Sequence, residues 1–176
     1  MRELVLGERI INGREAQTTM VIVDSKSVKN TDTAEEKGYD AGKKVSGVKI
    51  HIAVDVLGLP HAMSVTTANE TDRNGAALMI GCAVSNLSKC QKVLADGGYT
   101  GEKFAESVRG LIGAGVEVVK RNELHKFVVL PKRWIVERTF GWIEDCRLLW
   151  KNCERKIHNT LQACKLALVS LLLRRY

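Results

Sequence analysis

Between residues 48 and 56 apolar and polar positions alternate. Val48, Ile50, Ile52, Val54 and Val56 share one side, and Lys49, His51, Ala53 and Asp55 the other. A period of two predicts a half-buried strand, with the second side facing solvent. Leu57-Gly-Leu-Pro60 turns the chain, and residues 61–67 predict a second strand that forms a hairpin with the first. Two shorter apolar runs, Val21-Ile-Val23 and Val93-Leu-Ala95, predict short buried strands, and each is followed at once by an acid, Asp24 or Asp96. Residues 116–119 predict a fifth strand. Helical spacing runs from Thr71 or Asp72 to about Asn86, over 102–111, from Pro131 to about Trp150, and from Asn159 or Thr160 to Leu173. Pro131 suits the first turn of a helix. Residues 1–19 show no clean period and read as a loose lead-in, and residues 25–44 read as a polar surface loop.

The resulting order is β-β-β-α-β-α-β-α-α. An antiparallel meander followed by β/α alternation predicts an α/β fold with a mixed five-stranded sheet, helices on its faces and one further C-terminal helix. The chain is long enough at 176 residues for one domain with its own core.

Composition changes this picture in one respect. The net charge is +7, and ten Lys and Arg against five acids fall between Lys120 and Lys156. That excess favours a polyanionic partner without saying which. Five cysteines without CxxC spacing argue against a disulfide framework or a zinc site, and for reduced core thiols in the cytoplasm. The longest apolar stretch, residues 166–173, is too short to cross a membrane.

The candidate chemistry lies in the acids. Asp24 and Asp96 each end a short buried strand, so neighbouring strands would place both at one edge of the sheet. Gly97 and Gly98 follow Asp96 in a sharp turn. Glu137 lies in the segment Arg133-Trp-Ile-Val-Glu-Arg-Thr-Phe140, where a helix puts Arg133, Glu137, Gly141 and Glu144 on one stripe. Converging carboxylates repel one another unless a cation is present, and hard oxygen ligands suit Mg2+ or Mn2+. On pattern alone, acids at such positions are more often turn caps and surface groups than metal ligands. His51 reads as a satisfied or exposed histidine, and Trp134, Phe140, Trp142 and Trp150 as helical residues mostly in the core.

Several ordered blocks bear on the choice. They include Val23-Asp-Ser-Lys-Ser-Val-Lys29, Gly38-Tyr-Asp-Ala-Gly-Lys-Lys44, Asp72-Arg-Asn-Gly-Ala76, Ala95-Asp-Gly-Gly-Tyr-Thr-Gly-Glu102 and Phe127-Val-Val-Leu-Pro-Lys-Arg-Trp-Ile-Val-Glu-Arg-Thr-Phe140. In these the chain resembles the DDE transposases of the bacterial IS5 family from about Val21 to Arg175. The resemblance implies a ribonuclease H-like fold over residues 21–176, with residues 1–20 as the remnant of an upstream segment. It implies a catalytic triad of Asp24, Asp96 and Glu137 holding Mg2+, with Mn2+ as a substitute. Departures lie in the basic helix, at Gly141, Leu148 and Asn152-Cys153.

The implied activity is cleavage of insertion-element ends and joining of the 3′-hydroxyl to target DNA. The expected partners are DNA and further copies of the chain, without a membrane, at the nucleoid. Lys26, Lys29, Lys44, Lys49, Lys132, Arg133 and Arg138, with Lys43, Lys120, Arg121 and Lys126 beside them, are expected to contact phosphates. Their alternative is a solvated basic face. Two rival functions remain open: a nuclease without strand transfer, and a truncated fragment that inhibits a full-length transposase.

Overall fold

The computed structural model describes residues 1–119 and 132–174. The elements in chain order are α1 (Arg2–Ile11), β1 (Met20–Lys29), β2 (Gly38–Asp40), β3 (Val45–Val54), β4 (Pro60–Thr67), α2 (Asp72–Cys82), β5 (Lys92–Asp96), α3 (Glu102–Ile112), β6 (Gly115–Val119), α4 (Arg133–Glu144) and α5 (Ile157–Leu173). β3 pairs antiparallel with β1, with Asp24 opposite Ile52, and antiparallel with β4, with His51 opposite Ser64. β1 then runs parallel to β5, and β5 parallel to β6. The sheet is therefore mixed, as the strand order predicts, but among the described residues it has six strands and not five. The addition is β2, three residues long, paired with the start of β3.

Two helical layers bury the two faces. Val21, Val23 and Val93 pack with Ala76, Met79 and Ile80 of α2 and Phe104 and Val108 of α3. On the other face, Ile22, Ile50, Ile52 and Leu94 pack with Val136, Phe140 and Ile143 of α4 and Cys164 and Leu168 of α5. The alternation along β3 is therefore real in direction, yet both sides are covered. Lys49 and His51 are buried, because α2 lies over the face expected to meet solvent.

Four further expectations are corrected. The polar stretch after Val23 is not all loop: β1 continues to Lys29, held by β3, and β2 follows within the stretch. The expected loose lead-in forms α1, which packs Val5 against Leu59 and Leu172 and ties Arg9 to the buried Asp55. Its helical period is masked in the sequence because charged residues, Glu8 and Arg9, occupy buried positions there. The long helix ends at Glu144, well before Trp150. Of the four aromatic residues placed there, Phe140 is buried, whereas Trp134 and Trp150 are exposed. The helix turns Ile135, Val136, Thr139, Phe140 and Ile143 inward. Trp134 and Trp142 stand on the adjacent stripe, sandwiching the Arg138 guanidinium at 4.9 and 4.8 Å.

The cysteines are all free; Cys90 and Cys164 are buried, and Cys82 and Cys153 are exposed. Among the described residues no helix is long and apolar enough to cross a membrane. The expected helix start at Pro131 and the basic residues Lys120, Arg121 and Lys126 lie outside the described residues.

Candidate active site

Two strands bring the first two acids together. In the parallel pairing of β1 with β5, Val23 stands opposite Ala95, so the next residues, Asp24 and Asp96, come up side by side. Both share a face with Ile22 and Leu94, and with Arg133 and Val136 of α4 they line one recess. Asp24 lies within β1, which runs on past it to Lys29, whereas Asp96 is the last residue of β5.

The local chemistry fixes each carboxylate. Asp24 Oδ1 accepts the backbone N–H of Ser25 at 2.7 Å. Asp96 caps the turn Gly97–Tyr99, its Oδ1 accepting the N–H of Gly98 at 2.9 Å. In this turn the backbone comes close to the carboxylate, since a Cβ on Gly98 would lie 3.1 Å from Asp96 Oδ1. Burial pushes the Asp24 carboxyl up to about 6 although the Ser25 N–H favours its charge. The Asp96 charge adds to the rise, and Arg133 and Lys43 oppose it.

α4 supplies the third acid indirectly. Arg133 stands between Asp96 and Glu137: Nη1 is 3.6 Å from Asp96 Oδ2, and Nε is 3.0 Å from Glu137 Oε1. The Glu137 side chain is 57% exposed. Among the described residues no three His, Cys, Asp or Glu side chains are grouped closely enough to hold an ion. Asp24 and Asp96 are brought together, and Glu137 joins them through Arg133.

The basic residues divide. Lys29, Lys44, Lys132 and Arg138 are exposed. Lys44 and Lys132 both adopt positive φ, 55° and 69°, and Lys132 lies immediately before α4. Lys26 pairs with Glu144 across β1 and α4 at 2.5 Å. Arg138 donates to the Leu57 carbonyl oxygen at 2.9 Å while stacked between the two indoles. Lys49 is placed otherwise than expected of a phosphate contact. It is buried, and its ammonium reaches the Glu70 carbonyl oxygen at 2.7 Å, Asp72 Oδ1 at 2.9 Å and Asp40 Oδ2 at 3.4 Å. Those three acceptors use its three donors.

Behind Asp24, on the opposite face of β1, lies a polar cluster that sequence reasoning did not assemble. Ser25 Oγ donates to Asp72 Oδ1 at 2.7 Å, and Ser27 Oγ to Asp40 Oδ2 at 2.6 Å. Burial works against the Asp72 charge, but the bonds from Lys49 and Ser25 outweigh it and hold the carboxyl below its ordinary range. The Ser27 bond is the main cause holding Asp40 down to about 2. Tyr99 is buried, and burial, with Asp24 and Asp72 nearby, pushes its hydroxyl above the usual phenol range. His51 is buried and only half satisfied: Nε2 shares a 3.0 Å hydrogen bond with Thr66 Oγ1, Nδ1 has no hydrogen-bond partner among the described residues, and burial lowers the ring to about 4, so it is neutral. The signal for this cluster was present only as period: Ser25 and Ser27 share one face of β1. Their partners could be found only once the strand register was known.

With this geometry in place, comparison with known proteins is informative. The model of the transposase DDE domain family matches residues 15–172. A putative transposase for insertion sequence element IS402 from Burkholderia cepacia is 32% identical over 119 residues, covering 62% of this chain and 55% of its own length. The chain thus spans about half the length of the curated relative it matches. Among solved structures, a simian T-cell lymphotropic virus intasome in complex with a PP2A regulatory subunit aligns over 88% of this chain and 48% of its own, at 18% identity and TM-score 0.56. The catalytic core domain of BIV integrase aligns over 87% of this chain and 82% of its own, at 16% identity and TM-score 0.52. These two similarities establish the ribonuclease H-like fold of the integrase cores. Since the family model spans nearly all of the sequence, including the strands that carry Asp24 and Asp96 and the helix that carries Glu137, the chain belongs to the transposase DDE domain family.

Proposed function

We propose that this chain is the catalytic domain of an insertion-element transposase of the IS5 type, acting on DNA as a metal-dependent phosphoryl-transfer enzyme. The observation that carries the reading is the pairing of Asp24 and Asp96 on adjacent parallel strands, with Arg133 linking Asp96 to Glu137. The donor set fits Mg2+, or Mn2+ in its place. Its oxygens are hard, and the half-buried Asp24 beside a second carboxylate stays raised although Arg133 and Lys43 oppose the rise, a setting that a divalent ion would relieve. Asp24 and Asp96 would hold the metal as they stand, and Glu137 would join them on release from Arg133. When bound, divalent ions stabilise charge on the attacking and leaving oxygens of an in-line displacement.

The residues of the chain do the rest. Ser25 orients Asp24, and the Gly98 N–H orients Asp96. Lys29, Lys44 and Lys132 are free to meet phosphate oxygens, giving affinity without sequence readout. Water attacks the phosphodiester at the element end, and the bond to the 3′-oxygen breaks, leaving a 3′-hydroxyl. That hydroxyl then attacks a target phosphodiester, and a target 3′-oxygen leaves. Further copies of the chain would bring two ends together, and a nucleoid location follows from the substrate.

The first test is nicking of supercoiled plasmid with Mn2+, with Asp96→Asn beside the wild type. Nicking by the wild type alone supports the reading, and equal nicking by both removes it. A nuclease without joining rests on the same acids, and a strand-transfer assay with pre-cut ends separates it from the transposase.

A further inference from the structure

Beyond the acids themselves, β1 presents a mechanical problem. Its parallel ladder with β5 ends at Val23 opposite Ala95, whereas its antiparallel ladder with β3 continues to Lys29. Among the described residues the strand is therefore held by backbone pairing on one side only from Asp24 to Val28, until the Lys29 carbonyl oxygen accepts the Asn152 N–H on the other. The first acid sits at the residue where that support is lost.

The polar cluster on the far face lies where the missing support would be. Ser25 is held at three atoms. Its N–H donates to Asp24 Oδ1 at 2.7 Å, its Oγ donates to Asp72 Oδ1 at 2.7 Å, and its carbonyl oxygen accepts from Lys43 Nζ at 3.3 Å. Asp72 is fixed in turn by Lys49, whose other bonds reach the Glu70 carbonyl oxygen and Asp40. Asp40 holds Ser27, two residues further along β1. One buried ammonium thus joins β2, β3 and the start of α2 to both serines of β1. The Tyr99 hydroxyl, buried and without a well-formed hydrogen bond, lies beside this group and closes it from the β5 side. A buried ion network is a poor source of net stability, since apolar residues of equal volume commonly do as well. Its position behind Asp24 is what needs explaining.

We propose that Ser25, anchored by Asp72 and Lys49, is the positioning residue of the first catalytic acid: the network on one face of β1 sets the orientation of the Asp24 carboxylate on the other. This rests on the reading of Asp24 as an acid of the active centre. Ser25, Asp72 and Lys49 touch no reacting atom and act through Asp24.

The test compares the wild-type chain with Ser25→Ala, Ser25→Thr and Asp72→Asn. Amide hydrogen exchange is read along the sheet, and Mn2+ binding by electron paramagnetic resonance. Loss of a hydrogen bond to a charged group predicts exchange about tenfold faster at residues 24–27 in Ser25→Ala and Asp72→Asn, with β4 and β5 unchanged. Mn2+ affinity should fall by a similar factor, and Ser25→Thr, which keeps the hydroxyl, should restore both. Exchange unchanged at 24–27, faster exchange throughout the sheet, or no rescue by threonine overturns the inference. Absence of Mn2+ binding by the wild type counts against the metal-dependent reading instead, and the exchange data then decide the positioning role alone.

Discussion

Asp24 and Asp96 stand at matching positions on neighbouring parallel strands, and burial, with the charge of the second adding to it, lifts the carboxyl of the first to about 6. A carboxyl raised above its unfolded value of 3.8 contributes stability that is present below that value and lost as pH rises through about 6. At neutral pH the ionised Asp24 therefore costs the fold something. Asp24→Asn should raise the thermal midpoint at pH 7.5, the gain should vanish near pH 4, and nicking should be abolished. Thermal unfolding at the two pH values, beside the plasmid assay, checks all three.

Just past the C-terminal end of β3, a fully buried Asp55 meets Arg9 of α1 and His61 of β4, while its Oδ1 accepts the N–H groups of Leu57 and Leu59. Burial alone would raise this carboxyl, but the His61 bond and charge, the Leu59 N–H and Arg9 outweigh it and leave it lowered. A lowered carboxyl contributes stability above its unfolded value of about 3.8, lost as pH falls through the lower folded value. Asp55→Asn strands the Arg9 charge and should cost about 3–5 kcal/mol at neutral pH. The penalty should shrink below about pH 4 in denaturant titrations.

Two helical glycines should respond in opposite senses to alanine. A Cβ on Gly75 would lie 2.1 Å from Cε1 of His51, a fully buried ring held by Thr66. Gly75→Ala should therefore destabilise, by about 1–3 kcal/mol for overpacking. Gly141 has nothing within 4 Å of its Cβ position, so no close backbone approach requires it. Gly141→Ala should stabilise by up to about 1 kcal/mol through helix propensity alone. Chemical denaturation of both variants gives the two signs.

Lysines that look alike in sequence should separate in salt titrations. Replacing Lys29, Lys44 or Lys132, all exposed, with Ala should each reduce the slope of log affinity for duplex DNA against log salt by about 0.9. Lys49→Met should leave that slope unchanged and lower the thermal midpoint, because its ammonium is spent on Asp40, Asp72 and the Glu70 carbonyl oxygen. A slope change for Lys49→Met equal to the others would place it on the DNA.

Much of this protein is legible in the chain. Short apolar runs ending in Asp24 and Asp96 specify two buried strands, since a run of three or four such residues satisfies both faces of a strand within a layered sheet. The alternation from Val48 to Val54 correctly marks which side chains share the face under α4 and α5. Local pattern fails where burial is achieved by polar residues. Lys49 and His51 look solvent-facing because their neighbours are charged or small, yet α2 covers them; fixed acceptors take the Lys49 ammonium, and Thr66 meets one ring nitrogen of His51. α1 escapes detection because an ion pair anchors it where an apolar stripe was sought.

What only the tertiary structure decides is adjacency. Nothing in sequence spacing says that β1 lies between β3 and β5, and so that Asp24 meets Asp96 on one face while Ser25 meets Asp72 on the other. Register sets both at once, because a strand alternates its side chains and a slip of one residue would exchange them. Residue types and local periods mark which groups could do the chemistry; long-range strand pairing, which no local interaction encodes, decides which of them stand together.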